Sequence, residues 1–413
     1  MQQKVLVIED SPISLKVVSR LVTRAGFTVV SAGSLTEAMH RFGLSKPEDF
    51  LCAIVDFNLP DAPNGEAIDF TINAYLPTIV ITGQVDVMTR EAVLNREVVD
   101  YIPKENTQVY DYLGRLLLRL ERNKYIGVLV VDSRRKTRAA MAALLKRHNF
   151  IVYEANSAES AMTLLSEHPH IRMVLTDDAI PDQPGTEFVA NLRKAFSKEE
   201  LAIIGVSEGD SALLSARFIK SGANDFLRKP YCHEEFLCRI TQNLELIENV
   251  EAIRKAANTD YLTGLPNRRH FFYSVNVGLK KLPEKQALAI LDLDFFKQVN
   301  DTYGHDAGDA VLQSVSAQIA EQFDDVFVAR FGGEEFCIYL PGHTSDQAFA
   351  RLESFRESIA TTPVHFNGHL LEVTTSIGMA ARPSHNIDTL VSEADKLLYK
   401  AKSQGRNQIC RAD

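Results

Sequence analysis

The feature that most constrains the fold of this chain is an internal repeat in its N-terminal part. A strand-like apolar run at residues 4–8, followed by acids, recurs at residues 127–131. A second apolar run that ends in Asp56 recurs with Asp177, 121 positions later. A period this long indicates duplication of a whole domain rather than a short solenoid repeat. Each copy alternates short apolar runs with helical periodicity, which predicts two α/β domains with parallel sheets covered by helices.

Both copies resemble response-regulator receiver domains, whose flavodoxin-like sheet is doubly wound. In that family, an aspartate at the end of the third strand accepts a phosphoryl group from a histidine kinase or phosphotransfer protein. The first copy, residues 1–122, matches the whole set of positions and is expected to bind one Mg²⁺, which prefers hard oxygen ligands. The positions implied for the metal are Glu9, Asp10, Asp56 and the carbonyl of Asn58. Asp56 is the implied phosphoacceptor, and the implied switch residues are Thr82, Tyr101 and Lys104.

The second copy, residues 124–245, matches the pattern less completely. Asp132 corresponds to Glu9, and Ser133 stands where the first copy has Asp10. Losing a carboxylate ligand should weaken Mg²⁺ binding and slow phosphoryl transfer. We interpret this copy mainly as an adaptor, and the sequence leaves open whether it is also phosphorylated. The residues at its acceptor and switch positions are Asp177, Ser207 and Lys229.

A long helix is predicted between the second copy and the remainder of the chain. No Gly or Pro interrupts residues 234–257, and apolar residues recur there near helical or heptad spacing. We assign residues 236–258 to a linker helix. Two to three heptads could pair two chains, but the same stripe could equally pack on the sheet of the second copy. The residues of the stripe are Ile240, Leu244, Ile247 and Val250.

A Gly-Gly pair between two β-rich runs marks the C-terminal part of the chain. The segment RFGGEEF at residues 330–336 predicts a hairpin whose two-residue turn is the Gly-Gly pair, because such turns need positive φ angles. Glu334 and Glu335 would then leave the turn on one strand, where successive side chains face opposite ways. We therefore expect one of them to point into a site more easily than the other.

A second acidic segment follows a buried-strand run at residues 287–291. Open α/β sheets bind ligands at the carboxyl ends of their strands, which is where this segment lies. Together with the Gly-Gly hairpin, it resembles the GGDEF family of diguanylate cyclases, which join two GTP molecules into cyclic dimeric GMP. The resemblance covers about residues 259–413 and implies an α/β fold related to nucleotidyl cyclase and polymerase palm domains. The segments that carry it include DYLTGLPNRR at 260–269, DLDFFK at 292–297 and GHDAGD at 304–309.

The resemblance also implies roles for individual residues. Two Mg²⁺ ions are expected for each GTP, because two metals can activate the attacking oxygen and neutralise the departing one. The implied metal ligands are Asp292, the carbonyl of Leu293 and Glu334, with Glu335 as second choice. The implied catalytic residues are Glu334 as a candidate general base and Lys297 as a cation for developing charge. The implied substrate contacts are Asn300 and Asp309 for guanine, and Phe295, Phe296, Lys402 and Arg406 for phosphates.

The guanine contacts favour GTP over ATP, because adenine lacks the N1–H and 2-amino donors that a carboxylate such as Asp309 accepts. Each domain would hold one GTP, so two must face each other, and a homodimer is expected.

One family pattern is missing. The Arg-x-x-Asp product-inhibition motif would fall on Phe323 and Val326, so we expect no feedback inhibition through that site.

Charge and cysteine usage narrow the possible classes of protein. The formal net charge of −9 argues against a large nucleic-acid footprint, which needs a basic face. The five cysteines are scattered and are expected to be reduced thiols. No signal-like segment opens the sequence, and no apolar run approaches the ~20 residues of a membrane helix. We expect a cytoplasmic enzyme without membrane insertion. The alternatives are a catalytically weak GGDEF nucleotide sensor and a phosphorelay scaffold.

Overall fold

A computed structural model describes residues 2–83, 93, 96–104, 107–208, 212–278, 283–384 and 386–412 of the chain. The chain forms two compact units, Met1–Asn249 and Val250–Asp413. The helices in these described ranges all lack the combination of length and apolar character that spanning a bilayer requires.

The first domain of the N-terminal unit is a parallel five-stranded sheet that buries both of its faces. Its elements are β1 (Lys4–Ile8), α1 (Pro12–Arg24), β2 (Thr28–Ala32), α2 (Leu35–Gly43), a 3₁₀ turn (Pro47–Asp49), β3 (Phe50–Asp56), α3 (Glu66–Asn73), β4 (Thr78–Thr82), β5 (Asp100–Pro103) and α4 (Thr107–Asn123). The strand order is β2-β1-β3-β4-β5, and alternate residues of β1 and β3 enter two separate apolar cores. This two-faced burial explains the continuous apolar runs in the sequence, and the predicted flavodoxin-like order is confirmed.

The second domain repeats this architecture. Its strands are again parallel, in the order β10-β9-β8-β6-β7. The predicted domain duplication is therefore confirmed. The elements are β6 (Gly127–Val131), α5 (Arg135–Arg147), β7 (Ile151–Ala155), α6 (Ala158–Glu167), β8 (Ile171–Thr176), α7 (Gly185–Leu192), β9 (Ala202–Ser207), α8 (Ala212–Lys220), β10 (Asp225–Arg228) and α9 (His233–Asn258).

Helix α9 contains the predicted linker and resolves one alternative that the sequence left open. Phe236, Ile240, Leu244 and Ile247 are buried in the core of the second domain. The apolar stripe over this part of the helix packs on its own sheet, so it does not supply a free heptad seam for pairing with another chain.

The two domains of the N-terminal unit contact each other through α4 and α9. The Arg119 guanidinium donates to both carboxylate oxygens of Glu248, at 2.8 and 3.0 Å. Asn123, one turn further along α4, donates to the carbonyl of His148 at 2.8 Å. Arg119 is buried, and its charge-assisted hydrogen bonds from Nη1 to the partly exposed Glu248 join the two domains.

The C-terminal unit is built around a mixed five-stranded sheet in the order β12-β13-β11-β16-β17. Its central strand β11 is antiparallel to both neighbours and completely buried. The elements are α10 (Arg268–Gly278), β11 (Gln286–Leu293), α11 (Phe296–Tyr303), α12 (His305–Gln322), β12 (Phe327–Gly332), β13 (Glu335–Pro341), α13 (Ser345–Thr361), β14 (Val364–Phe366), β15 (His369–Leu371), β16 (Thr375–Ala380), α14 (Ile387–Ser403) and β17 (Ile409–Arg411).

The hairpin between β12 and β13 is present, but the predicted turn is wrong by one residue. Gly332 pairs with Glu335 across the ladder, so Gly333 and Glu334 form the turn. Both glycines have positive φ, +146° and +52°. The pairing register shifts between Arg330 and Gly332, and this irregularity moves the turn towards the acids. Glu334 therefore lies at the hairpin tip, and only Glu335 lies on the strand.

Gly378 on β16 lets helix α14 approach the sheet. A Cβ atom at this position would lie 2.0 Å from the Ala394 carbonyl oxygen and 2.1 Å from the Leu398 nitrogen. These are backbone atoms that cannot rotate away, so Gly378→Ala should displace α14. We expect a loss of about 3 kcal/mol in the free energy of unfolding, measured by thermal or denaturant unfolding.

Gly278→Ala is the matched control for this substitution. Its added Cβ would meet Phe327 at 3.5 Å, an ordinary contact. An unfolding midpoint for Gly378→Ala equal to that of the control would contradict the close packing of α14 on β16.

Candidate functional site

The carboxyl ends of β1 and β3 bring the acids of the first domain together. Glu9, Asp10 and Asp56 each place a carboxylate oxygen within 4.8 Å of the other two. Glu9 and Asp56 are buried, whereas Asp10 is exposed. This spacing of hard oxygen ligands fits a divalent cation such as Mg²⁺. Within the described ranges, no other group of three His, Cys or acidic side chains converges this closely.

Lys104 contacts two of these three acids. Its ammonium group is 2.7 Å from Glu9 and 2.5 Å from Asp56, and its backbone N–H donates to the Thr82 carbonyl at 2.8 Å. Burial raises the pKa of Glu9, while the hydrogen bond from Lys104 opposes the rise and repulsion from Asp56 adds to it. The three carboxylates and one ammonium leave a formal charge of −2, which a divalent cation would cancel.

The remaining residues predicted for this site lie around the acids. The backbone N–H of Asn58 donates to Asp56 at 3.3 Å, so the chain after β3 folds back over the acid. Thr82 is buried at the end of β4, and Tyr101 is half-buried on β5, paired in register with Val80. Their roles as metal ligand and switch residues stay predictions.

The corresponding site in the second domain contains two cations. Asp132 and Asp177 are both buried, and Lys229 lies 2.8 Å from the first and 2.6 Å from the second. Ser207 donates to Asp177 at 3.3 Å. The second cation is Arg134, 3.1 Å from Asp177. Sequence reasoning missed Arg134, because nothing in its position two residues after Asp132 indicates that it turns back over the acids.

Asp292 is buried near the end of β11, the central strand of the C-terminal sheet. It pairs in register with Glu335 on β13 and with Ser376 on β16. Its Oδ2 lies 2.7 Å from the Lys402 ammonium. Burial raises the pKa of Asp292 to about 6, with Lys402 opposing the rise and the carboxylates of Glu334 and Glu335 adding to it.

The hairpin tip lies beside the end of β11. The backbone N–H of Leu293 donates to the carbonyl of Glu334 at 3.4 Å. Three carboxylates and one ammonium again leave excess negative charge, which favours the approach of a divalent cation. In the described part of the chain, however, these acids do not converge within 4.8 Å as those of the first domain do. Metal ligation by Asp292, Leu293 and Glu334 stays a prediction.

Arg330 holds the hairpin tip in place, a role that sequence reasoning missed. Its Nε and Nη2 donate to the Gly333 carbonyl at 2.9 and 2.7 Å, and its Nη1 donates to Asp260 at 2.7 Å. Asp260 is 70 positions away in sequence, and spacing alone does not indicate that the two residues meet. The ion pair ties the turn that carries Glu334 to the segment that follows α9.

Two of the residues predicted to hold phosphates, Phe295 and Arg406, form a strained cluster with Asn407. Phe295, Arg406 and Asn407 all have positive φ angles, +56°, +64° and +44°, which are uncommon for residues with a Cβ atom. The Arg406 guanidinium lies 4.7 Å from the centroid of the half-exposed Phe295 ring. Backbone strain of this kind persists only where contacts with the surrounding structure hold the residues in place.

Asp294 supplies those contacts. It is buried, and its carboxylate accepts from the Asn407 backbone N–H at 2.9 Å, from Ser376 Oγ at 2.6 Å and from Thr374 Oγ1 at 2.8 Å. One side chain therefore ties the loop of Arg406 to the end of β11 and the start of β16. Sequence reasoning assigned Asp294 no role, although it lies two residues after Asp292.

The predicted guanine contacts lie where α11 meets α12. Asn300 packs so closely against Gly308 that a Cβ on the glycine would lie 2.0 Å from the Asn300 amide oxygen. Asp309 follows Gly308 and is exposed, as is Lys297 on the first turn of α11. Phe296 is instead buried in the core, so only its backbone is available to a ligand. Guanine recognition by Asn300 and Asp309 stays a prediction.

Comparison with known proteins agrees with this architecture. The family described as "Response regulator receiver domain" matches residues 5–110 and 128–241, and "Diguanylate cyclase, GGDEF domain" matches residues 257–408. The response regulator PleD of Caulobacter vibrioides is 28% identical over 297 residues, which cover 68% of this chain and 65% of PleD. The diguanylate cyclase DgcP of Pseudomonas aeruginosa is 38% identical over 166 residues, which cover 39% of this chain and 25% of DgcP.

A solved structure described as a two-component system response regulator/GGDEF domain protein is 38% identical to this chain, with a TM-score of 0.55. The match covers 60% of this chain and 100% of that one. This chain belongs to the response-regulator family and combines two receiver domains with a GGDEF domain.

Replacing Asp294 should release the loop that its carboxylate anchors. Asp294→Ala leaves the Asn407 N–H and two hydroxyls without their acceptor, which should cost about 2 kcal/mol of stability and release the loop that carries Arg406. Hydrogen exchange at Asn407 should accelerate strongly. Asp324→Ala, at an exposed acid on the same unit, should leave that exchange rate unchanged. An unaltered Asn407 exchange rate in Asp294→Ala would contradict the anchoring role.

Proposed function

We propose that this protein is a diguanylate cyclase that makes cyclic dimeric GMP from two GTP molecules under the control of phosphorylation at Asp56. The observation that carries the proposal is the buried Asp292 at the end of β11. The hairpin acids flank it, Lys402 contacts it, and the strained loop of Arg406 is tied to the same strand end through Asp294. A buried acid among charged neighbours, with its pKa raised to about 6, is typical of a functional site.

The proposed reaction is attack of the 3′-hydroxyl of one GTP on the α-phosphorus of another, with release of pyrophosphate. A second attack closes the ring. Negative charge grows on the phosphoryl and leaving-group oxygens, so the site must position the reactants and supply positive charge. Mg²⁺ held by Asp292, the Leu293 carbonyl and Glu334 would supply part of that charge. Glu334 would accept the proton of the attacking hydroxyl.

The cationic side chains would complete the substrate site. Arg406, held over the Phe295 ring, would bind phosphate oxygens together with backbone N–H groups at the start of α11. Lys297 would balance charge in the transition state. Lys402 would exchange its contact with Asp292 for one with a phosphate. Asn300 and Asp309 would select guanine by hydrogen bonding its N1–H and 2-amino groups.

Because each domain would hold one GTP, ring closure requires two domains that face each other, and we propose a homodimer as the active form. A histidine kinase or phosphotransfer protein would donate the phosphoryl group. Oδ of Asp56 would attack its phosphorus, and the donor histidine would leave. Lys104 and Thr82 would then contact the new phosphoryl oxygens.

We expect phosphorylation of Asp56 to act on the GGDEF domain through the contact between α4 and α9. Lys104 lies at the end of β5, α4 follows it, and Arg119 on α4 pairs with Glu248 on α9. A shift of α4 on phosphorylation would therefore act on the helix that runs towards the GGDEF domain.

A nucleotide sensor without turnover is the second candidate. The Lys402–Asp292 ion pair of 2.7 Å favours it, because the ammonium competes with a metal ion for the same carboxylate. A sensor would bind GTP or the cyclic dinucleotide without releasing pyrophosphate.

Incubation of the full chain with Mg²⁺ and GTP, followed by chromatography, tests the catalytic proposal. We expect cyclic dimeric GMP and pyrophosphate. Asp292→Asn and Glu334→Gln should each lower the rate roughly a hundredfold or more, because each removes charge where it is needed. Glu321→Gln, at an exposed acid near the end of α12, should leave the rate unchanged. GTP binding without product would favour the sensor.

The regulatory proposal is tested by adding acetyl phosphate or beryllofluoride to the same assay. We expect the rate to rise several-fold in the unchanged chain and to stay at its basal value in Asp56→Ala. Glu48→Ala, which alters an exposed acid of the same domain, should retain the stimulation. Stimulation that survives in Asp56→Ala would refute control through this residue.

A further inference from the structure

The two receiver domains are duplicates, so the second can be compared with the first position by position. At the acidic site, three residues differ in a connected way. Ser133 replaces Asp10, Arg134 replaces Ser11, and Glu208 replaces Gly83. One acid is lost, one cation is gained, and an acid is added on the loop that follows β9.

Arg134 contacts three acids at this site. Its Nη2 lies 3.1 Å from Asp177, its Nε lies 3.6 Å from Asp132, and its Nη1 lies 2.6 Å from Glu208. A single guanidinium thus spans the ends of β6 and β8 and reaches the loop after β9. Planar guanidinium groups suit such multiple carboxylate contacts.

The ligand atoms that a metal ion would need are also engaged. Ser133 Oγ donates to the carbonyl of Ala179 at 2.9 Å. Ala179 corresponds to Asn58, whose carbonyl is the expected ligand in the first domain. The backbone N–H of Ala179 in turn donates to Asp177 at 2.9 Å. Ser133, which replaces the carboxylate of Asp10, therefore also engages the carbonyl of Ala179. That carbonyl is the counterpart of the metal ligand expected at Asn58 in the first domain.

The formal charges of the two sites explain why a metal ion suits the first domain better than the second. In the first domain, three carboxylates face one ammonium, and the formal charge is −2. In the second, Asp132, Asp177 and Glu208 face both Lys229 and Arg134, and the formal charge is −1. Although burial acts to raise it, the pKa of Asp177 is lowered by the Ala179 N–H, Lys229 and Arg134. A divalent cation here would lie against the guanidinium and ammonium groups that already neutralise Asp132 and Asp177.

We infer that Arg134 takes the place of the divalent cation in the second receiver domain, which therefore binds no Mg²⁺ at this site and accepts no phosphoryl group. The residues of this domain do not fit the metal that the family implies. Arg134 instead links Asp177 to Glu208, next to the switch position Ser207. The second domain is a fixed surface against which α4 of the first domain is held, and Asp56 is the single phosphoacceptor.

Beryllofluoride with Mg²⁺ mimics a phosphoryl group on a receiver aspartate. The number of bound complexes per chain therefore gives the number of sites that can be phosphorylated. The ¹⁹F NMR spectrum of the full chain should show one bound complex per chain. The complex should be absent from Asp56→Ala and retained in Asp177→Ala. A bound complex in Asp56→Ala that disappears when Asp177→Ala is added would overturn the inference.

This measurement does not use the cyclase reaction, so its outcome is separate from that of the proposed function. If the unchanged chain shows no bound complex, Asp56 is not a working acceptor under these conditions. That result would still support the inference that the second domain accepts no phosphoryl group.

Giving the second site the residues that the first domain has at the same positions should allow it to bind Mg²⁺ and beryllofluoride. Ser133→Asp combined with Arg134→Ser, in an Asp56→Ala background, should gain one Mg²⁺-dependent bound complex that requires Asp177. Arg134→Lys in the same background keeps the positive charge and should gain none. A folded double variant, judged by circular dichroism, that binds no complex would overturn the assignment to Arg134. If the double variant does not fold, the count of bound complexes in the single variants still decides the question.

Discussion

The structure depends on one recurring constraint: a carboxylate buried at the carboxyl end of a central strand needs a cation. Asp56, Asp177 and Asp292 each end or nearly end such a strand, and each contacts a lysine that comes from a distant part of the chain. Burial acts to raise the pKa of a carboxylate and makes an uncompensated charge costly. Each acid therefore orders the segments around it, and the lysine contacts connect elements that are remote in sequence.

The three sites differ in how much charge remains after the lysine is counted. The first receiver site and the GGDEF site keep excess negative charge, and this excess suits them to divalent cations and phosphoryl groups. The second receiver site keeps less negative charge than the first because Arg134 turns back over its acids. A duplicated domain has thus retained its fold while a single guanidinium changed the chemistry open to it. Function follows the charges at the strand ends, not the sheet that carries them.

Much of the fold was predictable because burial leaves periodic patterns in a sequence. The repeat, the fully apolar strands and the acids at their ends predicted two flavodoxin-like domains, and those predictions are confirmed. The hairpin was predicted from its glycines, but its turn was misplaced by one residue, because a local shift in pairing register between Arg330 and Gly332 has no sequence pattern of its own. The apolar stripe of α9 was ambiguous, since helical and heptad spacings coincide over so few turns.

The sequence by itself determined which residues are acidic, where strands end and that one domain is copied, since these depend on local composition and periodicity. Only the tertiary structure decided which charges meet. It brought Arg330 to Asp260, Asp294 to Asn407 and Arg134 to Asp177. These pairs depend on how strands and loops are arranged in space and on which side chains turn back over a site. Electrostatic energy falls with distance in three dimensions, and separation along the chain carries no information about that distance.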